Sequence, residues 1–251
     1  MDKAIVLDAD GKEVSCTSEP KARKMIRDGK AALVSESPLM IRLPYAVELP
    51  PTPEPEEAPP PPGTGKRILL HVCCGPCGTY TIRRLREQGF AVTGYWYNPN
   101  IHPFAEHEKR RDTFRGYAES VNLPVAWHRD YDMPRYFREV AGREAFGERC
   151  RICYHLRLEQ AARAALEGGF DAFTTTLLIS VHQDQAAIHT IGEELEQEYG
   201  VPFYYEDFRR GWSERGRIAN ESGLYKQHYC GCIYGEWEAA VSARSAVLAA
   251  K

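Results

Sequence analysis

A proline-rich stretch between residues 50 and 62 divides this chain of 251 residues into two parts. It holds eight prolines and three glutamates in thirteen residues. Because proline lacks a backbone N–H and has a restricted φ, such a stretch cannot pack a core and favours an extended linker. We therefore predict a small N-terminal module of unknown role at 1–48, a linker at 49–66 and a main domain at 67–251.

The N-terminal module has the pattern of a small α+β appendage. Apolar runs at 4–7, 31–34 and 40–43 are strand-like. Between the first two of them, the segment 18–26 begins with a serine cap and an early proline and then shows helical spacing. Its lone Cys16 has no partner nearby in the sequence, which favours a structural residue over a metal ligand.

The main domain alternates strand-like and helix-like segments. The predicted strands are 67–72, 90–97, 124–127, 171–176 and 201–205. The predicted helices between them include 78–88, 104–121 and 184–199. Alternation of this kind predicts an α/β fold in which helices flank a parallel sheet.

Composition limits the function classes that the chain can serve. No apolar run approaches the roughly 20 residues that span a bilayer, so we expect no membrane association and a cytoplasmic location. The net charge of −3 argues against a protein that coats nucleic acid by bulk charge. Residues 67–157 nevertheless hold 15 Lys or Arg against 10 Asp or Glu, which leaves both a basic binding face and an ordinary solvated surface open.

Seven of the eight cysteines lie in the main domain, in three clusters. They are Cys73, Cys74 and Cys77, then Cys150 and Cys153, then Cys230 and Cys232. A reducing cytoplasm favours metal binding or redox catalysis for them, and seven thiols are too many for one tetrahedral zinc. Adjacent Cys73 and Cys74 are expected to point in different directions, which suits two iron atoms better than one small ion. Thiol count alone leaves both a [4Fe-4S] cluster and zinc open.

The first cluster occupies a strand-to-helix turn, where open parallel sheets build their ligand sites. Three other features are ambiguous. Cys230 and Cys232 form a C-x-C pair that suits either metal ligands or an easily reduced disulfide. His102 is a candidate proton donor or a structural histidine, and Asp184 is a helix N-cap or a site acid. The threonine run 174–176 either lines the same crevice or merely favours a strand.

Six motifs in the main domain occur together and in order. They are HVCCGPC at 71–77, WYNPNIHP at 96–103, CRICY at 150–154, FTTTLLIS at 173–180, DFR at 207–209 and LYKQHYCGC at 224–232. The combination resembles the cobalamin-independent epoxyqueuosine reductases over about residues 67–235. That resemblance implies a fold similar to the adenine nucleotide α-hydrolase, or Rossmann-like, group. It also implies the last step of queuosine formation, in which the epoxide of epoxyqueuosine at the tRNA wobble position becomes an alkene.

The resemblance further implies an iron-sulfur reductase domain at 67–251. Within it, Cys73, Cys74, Cys150 and Cys153 would hold a [4Fe-4S] cluster, and Cys73, Cys74, His102 and Asp184 are the catalytic candidates. Some relatives carry a carboxylate at the position of Cys77, so this residue is assigned to an adjacent mononuclear iron. Cys230 and Cys232 would either ligate metal or recycle electrons.

The implied partners are tRNA carrying epoxyqueuosine and a low-potential electron donor. An exposed anticodon loop is read by stacking and by phosphate contacts, so basic and aromatic residues are the candidates for binding it. We predict contacts from Lys109, Arg110, Arg111, Arg115, Arg209, Arg210, Trp212 and Tyr225.

Two rival functions remain open at this point. An ATP-dependent tRNA-modifying enzyme of the same fold would place a Ser-Gly-Gly-x-Asp-Ser loop after the first strand, where this chain has Cys-Cys-Gly-Pro-Cys. A zinc-stabilised RNA-binding module without catalysis would use the same thiols. Metal analysis separates the second rival from an iron-sulfur enzyme.

Overall fold

The computed structural model describes residues 3–46 and 63–249, with side chains up to residue 242. The chain divides into two units, Met1–Pro59 and Pro60–Lys251, and each is described by itself. Most of the predicted linker at 49–66 lies outside the described residues, so its extended form stays a prediction. Among the residues described, no helix combines the length and the apolar character needed to cross a membrane.

The N-terminal unit is a four-stranded sheet with one helix. Its elements are β1 (Lys3–Leu7), β2 (Glu13–Ser18), α1 (Glu19–Arg27), β3 (Ala32–Glu36) and β4 (Leu39–Arg42). The strand order is β2-β1-β4-β3, with β1 parallel to β4 and the other pairs antiparallel. The sequence pattern did not predict β2, because its residues are mostly polar and exposed and show no apolar alternation.

The larger unit contains a second four-stranded sheet. Its strands are β5 (Arg67–His71), β6 (Ala91–Trp96), β7 (Val125–Trp127) and β8 (Ala172–Thr175). Its helices are α2 (Gly75–Glu87), α3 (Phe104–Ser120), α4 (Met133–Val140), α5 (Glu148–Glu167), α6 (Gln185–Tyr199), α7 (Trp212–Glu221) and α8 (Ile233–Ala249), and short 3₁₀ helices cover Thr176–Ile179 and Phe208–Gly211.

All four strands of this sheet are parallel, in the order β7-β6-β5-β8. Ile68 of β5 pairs with Val92 on one side and with Ala172 on the other. Residues 68–70 are fully buried, as expected for a parallel strand with helices over both faces. The predicted α/β fold with a helix-flanked parallel sheet is therefore confirmed.

The order of the strands determines where a ligand site forms. From β5 the chain runs outward through β6 and β7, and it then returns to place β8 on the opposite side of β5. The strand order reverses at β5, and open α/β sheets bind ligands at the carboxyl ends of the strands beside such a switch point. The cysteine turn follows β5, and the threonine run 174–176 forms the carboxyl end of β8 and the residue after it, so both meet at this edge.

The predicted strand at 201–205 was wrong in extent. Only one isolated parallel bridge forms there, between Phe173 and Phe203. Val201 and Phe203 alternate inward as in a strand, which explains the prediction. Pro202 has no N–H to donate, however, and the chain meets β8 only through the N–H and C=O groups of Phe173.

Candidate functional site

The turn between β5 and α2 brings three thiols together. The sulfur atoms of Cys73, Cys74 and Cys77 all lie within 4.8 Å of one another, and those of Cys73 and Cys74 are 3.9 Å apart. The expectation that the two adjacent thiols diverge was wrong. Cys74 is the N-cap of α2 with an extended backbone, φ −170° and ψ 162°, and Cys77 follows in the first turn of the helix.

The distances between these sulfur atoms fit thiolates that bind the same metal ion. With zinc-sulfur bonds of about 2.3 Å, a tetrahedral ion requires sulfur atoms about 3.8 Å apart, close to the separation between Cys73 and Cys74. The three thiols therefore form a compact donor set that needs little movement to bind one metal ion. A [4Fe-4S] cluster binds each thiolate through a different iron atom, so the thiols would have to move apart to ligate it.

Each of the three thiols accepts a hydrogen bond from a different side chain. The donors are Thr176 Oγ1 to Cys73 Sγ at 3.2 Å, Gln227 Nε2 to Cys74 Sγ at 3.0 Å and Arg215 Nη1 to Cys77 Sγ at 3.7 Å. The backbone N–H of Cys73 also donates to Thr176 Oγ1 over 2.9 Å, which ties the turn to the end of β8. Donors of this kind stabilise thiolate sulfur and tune the potential of a bound cluster.

Of the three thiols, Cys73 loses its proton most readily. Hydrogen bonds from Cys74 and Cys77 hold the pKa of Cys73 well below its usual range, with help from Thr176. Burial raises the pKa of Cys74 to about 12, and the hydrogen bonds from Cys77 to its neighbours raise the pKa of that thiol too. Because the pKa values of Cys74 and Cys77 are raised, metal binding at these two thiols must release their protons.

A buried arginine lies beside the thiols. Arg157 of α5 is 4% exposed, and its Nε donates to the carbonyl oxygen of Cys153 in the preceding turn over 3.3 Å. Burial alone would lower the pKa of Arg157, but its electrostatic interactions with the nearby Cys153 and Cys73 side chains outweigh burial and raise the pKa. In the described part of the chain, no carboxylate oxygen lies within 4.0 Å of Arg157.

This unpaired guanidinium is the observation that tests whether the site fits an iron-sulfur cluster. A buried charge without a counterion is costly, by several kcal/mol. A cluster with four thiolate ligands is anionic, and so are the thiolates themselves. The positive charge of Arg157 and the thiol donors around it therefore suit the group that the sequence predicts.

The other four cysteines form two looser pairs, and one member of each pair, Cys153 and Cys230, lies near the same arginine. Cys150 and Cys153 belong to the start of α5, and Cys153 packs with Cys232 in a small buried cluster. The Cys230 and Cys232 sulfur atoms are 3.8 Å apart and both thiols are free, so the predicted disulfide is not formed in this structure. Hydrogen bonding from Cys230 lowers the pKa of Cys232 to about 5.

A cavity of about 410 Å³ opens beside these thiols. Its lining includes Cys73, Cys77, Cys230, Arg157, Trp212 and Gln227. The guanidinium of Arg215 lies 3.7 Å from the centre of the Trp212 ring, which it covers on one side. The cavity therefore combines thiols, cations and an aromatic surface, and it draws its residues from five separate parts of the chain.

Two predicted catalytic residues do not line this cavity. The Asp184 carboxylate accepts from Ala187 N over 3.0 Å, so it serves as the N-cap of α6. Burial lowers the pKa of His102 to about 4, which keeps its ring neutral, and the ring stacks on Phe137 at 4.7 Å. Its Nδ1 accepts from Ile233 N over 3.4 Å. Asp184 and His102 thus make structural contacts, as a helix N-cap and as a packed neutral ring.

One predicted RNA contact conflicts with the structure. Arg110 is only 2% exposed, and its Nε donates to Glu106 over 2.7 Å. Its other nitrogens donate to the carbonyl oxygens of Tyr229 and Cys230 at 3.3 and 3.2 Å. Arg110 therefore binds the loop that carries Cys230. Because its side chain is buried in these contacts, it is not available to a phosphate.

The remaining predicted RNA contacts are at the surface. Lys109 lies 3.7 Å above the Tyr225 ring, and both side chains remain accessible to solvent. Arg209 and Arg210 are exposed in ion pairs of 2.5 Å with Asp207 and Glu206. The Arg209–Asp207 pair is exposed on both sides and is worth little in stability, so Arg209 can exchange partners at small cost.

Sequence reasoning missed the side chains that surround the thiols. Arg215 has no spacing relation to the cysteines, but Arg157 lies one helical turn after Cys153 and Gln227 belongs to the motif at 224–232. The i, i+4 spacing on α5 was therefore a signal that could have pointed to Arg157. The threonine run 174–176 was noted, and the structure places its last member on Cys73.

Comparison with known proteins adds an independent result. The family model described as "Epoxyqueuosine reductase QueH" matches residues 68–238. Epoxyqueuosine reductase QueH of Dehalococcoides mccartyi is 41% identical over 172 residues, which cover 68% of this chain and 93% of the relative. The Thermotoga maritima protein of that name is 36% identical over 174 residues, covering 66% of this chain and 88% of the relative.

The solved structures offer a more distant likeness. The U34-tRNA thiolase NcsA from Methanococcus maripaludis with its [4Fe-4S] cluster has a TM-score of 0.46 and 14% identity, over 68% of this chain and 61% of that one. A likeness of this size carries no functional argument. On the family match and the two relatives, this chain belongs to the epoxyqueuosine reductase QueH family.

Proposed function

We propose that the larger unit reduces epoxyqueuosine in tRNA to queuosine, with a [4Fe-4S] cluster and without cobalamin, in the cytoplasm. Family membership supports the reaction. The observation that carries the site assignment is the convergence of Cys73, Cys77 and Cys230 with Arg157 on one cavity at the switch point of the sheet.

The reaction defines what the site must supply. Both carbon-oxygen bonds of the epoxide break, a carbon-carbon double bond forms, and the oxygen leaves as water. The balance requires two electrons from a low-potential donor and two protons. A bound iron-sulfur cluster supplies electrons one at a time, and an open iron or an adjacent mononuclear iron supplies a Lewis acid for the departing oxygen.

Cys73, Cys74, Cys150 and Cys153 are our proposed cluster ligands. Cys77 belongs to the same compact group of thiols and is our proposed ligand of the adjacent ion. Cys230 lines the cavity and Cys232 is buried behind it, which suits a pair that passes electrons inward from the donor.

Other residues of the chain position the reactants. Arg157 offsets negative charge at the thiolates, and its helix holds it in place. Trp212 offers a ring for the modified base to stack on, since it lines the cavity and is only partly buried. Lys109 and Arg115 lie at exposed positions of α3 and Arg111 at a partly exposed one, where they can contact the backbone of the tRNA.

The test is a reconstitution experiment. The protein is loaded anaerobically with iron and sulfide and is incubated with epoxyqueuosine-containing tRNA and a low-potential reductant. Queuosine should appear among the digested nucleosides. Cys73→Ala should lose cluster absorption and product, whereas Cys16→Ala, an exposed cysteine of the N-terminal unit, should retain both. Fully loaded enzyme that forms no queuosine would refute the proposal.

The thiol spacing also supports a second candidate, a zinc-stabilised RNA-binding module. The separation of 3.9 Å between Cys73 and Cys74 suits one tetrahedral ion. Metal analysis of protein isolated without oxygen distinguishes the two. Brown protein with iron and sulfide supports the reductase, and colourless protein with stoichiometric zinc supports the binding module.

A further inference from the structure

A second cavity, of about 240 Å³, lies at the same edge of the sheet as the cysteine site. It forms where β6 and β7 end, and no residue lines both cavities. The loop after β6 is tied to the cysteine turn, because Asn98 Nδ2 donates to the carbonyl oxygen of Val72 over 2.9 Å. One strand separates β5 from β7, so the ends of these two strands lie about 10 Å apart. A single bound loop of RNA can therefore reach both cavities.

Aromatic side chains make up much of this second cavity. Trp96 is buried, but Trp127 is 36% exposed and Phe104 is 57% exposed. The centres of the Trp96 and Trp127 rings are 6.3 Å apart. Exposed aromatic rings beside a concave surface offer a stacking surface that every nucleobase can use.

The charged groups of the second cavity complement the rings. They are Arg111, Arg115, Arg129, Glu108 and Asp130. Arg111 pairs with Glu108 at 2.5 Å, and the guanidinium of Arg115 lies 5.1 Å from the centre of the Trp127 ring. Arg129 is exposed, and within residues 3–46 and 63–249 it has no carboxylate oxygen within 4.0 Å. A free arginine next to an exposed tryptophan suits a ligand that joins a flat ring to a phosphate.

We propose that this cavity holds one unstacked nucleotide of the tRNA anticodon loop, next to the modified base at the cysteine site. Trp127 stacks on the base and Arg129 contacts its phosphate. The inference rests on the proposed function, since it takes tRNA as the substrate. A free nucleoside triphosphate fits less well, because the loop at 96–104 contains no glycine and cannot form the backbone cradle that polyphosphates use.

The experiment uses the full chain with its cluster loaded. Binding of fluorescently labelled, epoxyqueuosine-containing tRNA is measured anaerobically without reductant, at several salt concentrations. Trp127→Ala should raise the Kd about tenfold through lost stacking. Arg129→Glu should raise it by at least as much and reduce the salt slope by about one. Both variants should keep the wild-type cluster absorption.

Matched controls isolate the cavity from general effects. Trp237→Ala removes a tryptophan that is 65% exposed on α8, and Arg138→Glu reverses an exposed arginine of α4 that lines neither cavity. Both should bind tRNA as the wild type does. Thermal unfolding of Trp127→Ala identifies any loss of folding, and Arg129→Glu, at an exposed position, tests the cavity without that risk.

The outcomes separate this inference from the proposed function. If the wild type forms queuosine but both variants bind tRNA normally, the second cavity is not a nucleotide site. If the loaded wild type forms no queuosine but the variants lose tRNA affinity, the second cavity is supported as an RNA-binding site and the proposed reaction is refuted. If AMP or UMP binds at the cavity more tightly than tRNA, its ligand is a free nucleotide and the inference is wrong.

Discussion

Arg157→Gln tests whether the buried guanidinium controls the reactivity of the site. Arg157 lines the cavity with Cys73 and Cys77, and no carboxylate among the described residues pairs with it. Reduction of a cluster adds one negative charge beside this arginine. The positive charge therefore favours the reduced state, and its removal should lower the reduction potential.

Coulomb's law gives the size of the effect. At a separation of about 5–8 Å and an effective dielectric constant of about 20, two unit charges interact by about 2–3 kcal/mol. For a one-electron couple this corresponds to about 80–130 mV. Solvent in the open cavity screens part of the interaction, so we expect the potential of Arg157→Gln to fall by about 50–100 mV.

The assay is an anaerobic redox titration of the loaded protein, followed by visible absorption and electron paramagnetic resonance. Arg157→Lys retains the charge and should keep most of the wild-type potential. Arg163→Gln, on the same helix but at an exposed ion pair, should leave the potential unchanged. A normally loaded Arg157→Gln variant with the wild-type potential would refute the reasoning.

Two further predictions concern stability. Gly192→Ala would place a Cβ 2.1 Å from the Phe203 ring, so it should destabilise the fold by about 1–3 kcal/mol in denaturant unfolding. Gly216 is a helical position with no atom within 4 Å of the new Cβ, so Gly216→Ala should stabilise the fold by about 0.5–1 kcal/mol. If the two substitutions changed the free energy of unfolding equally, the close contact between Gly192 and Phe203 would be contradicted. Burial would raise the pKa of Glu206, but the hydrogen bond from Arg84, followed by those from Arg210 and Gln88, outweighs it and lowers the pKa. Glu206→Gln should therefore cost about 1–2 kcal/mol at pH 7. The cost should shrink as the pH falls from 4.5 through the lowered pKa of Glu206, and a cost that stays the same over the whole acid range would count against an ionised Glu206.

Local sequence patterns predicted most elements of the larger unit. The buried run in β5 and the helical spacing of α3 and α6 placed those elements within a few residues of their observed ends. The helix α2 begins three residues before its predicted start, because Cys74 rather than a later residue is its N-cap. Such patterns succeed because burial on a strand or helix repeats at short range along the chain.

Patterns failed where distant parts of the chain decide the outcome. The polar strand β2 exists because it pairs with β1, and 201–205 pairs with β8 at one point only. Arg110 reads as a surface cation in the sequence, yet the loop around Cys230 covers it. No local signal records whether a neighbour far along the chain will supply a hydrogen-bond partner or remove solvent.

The sequence by itself determined the parallel α/β architecture, the three cysteine clusters and the family to which they point. Only the tertiary structure showed that adjacent Cys73 and Cys74 converge, that Arg157 is buried among the thiols, and that a second, aromatic cavity shares their edge of the sheet. The physical reason is that electrostatics and cavities depend on distances between residues far apart in the chain, as in the hydrogen bond from Gln227 to Cys74, which are 153 positions apart. Spacing along the chain carries no information about those distances.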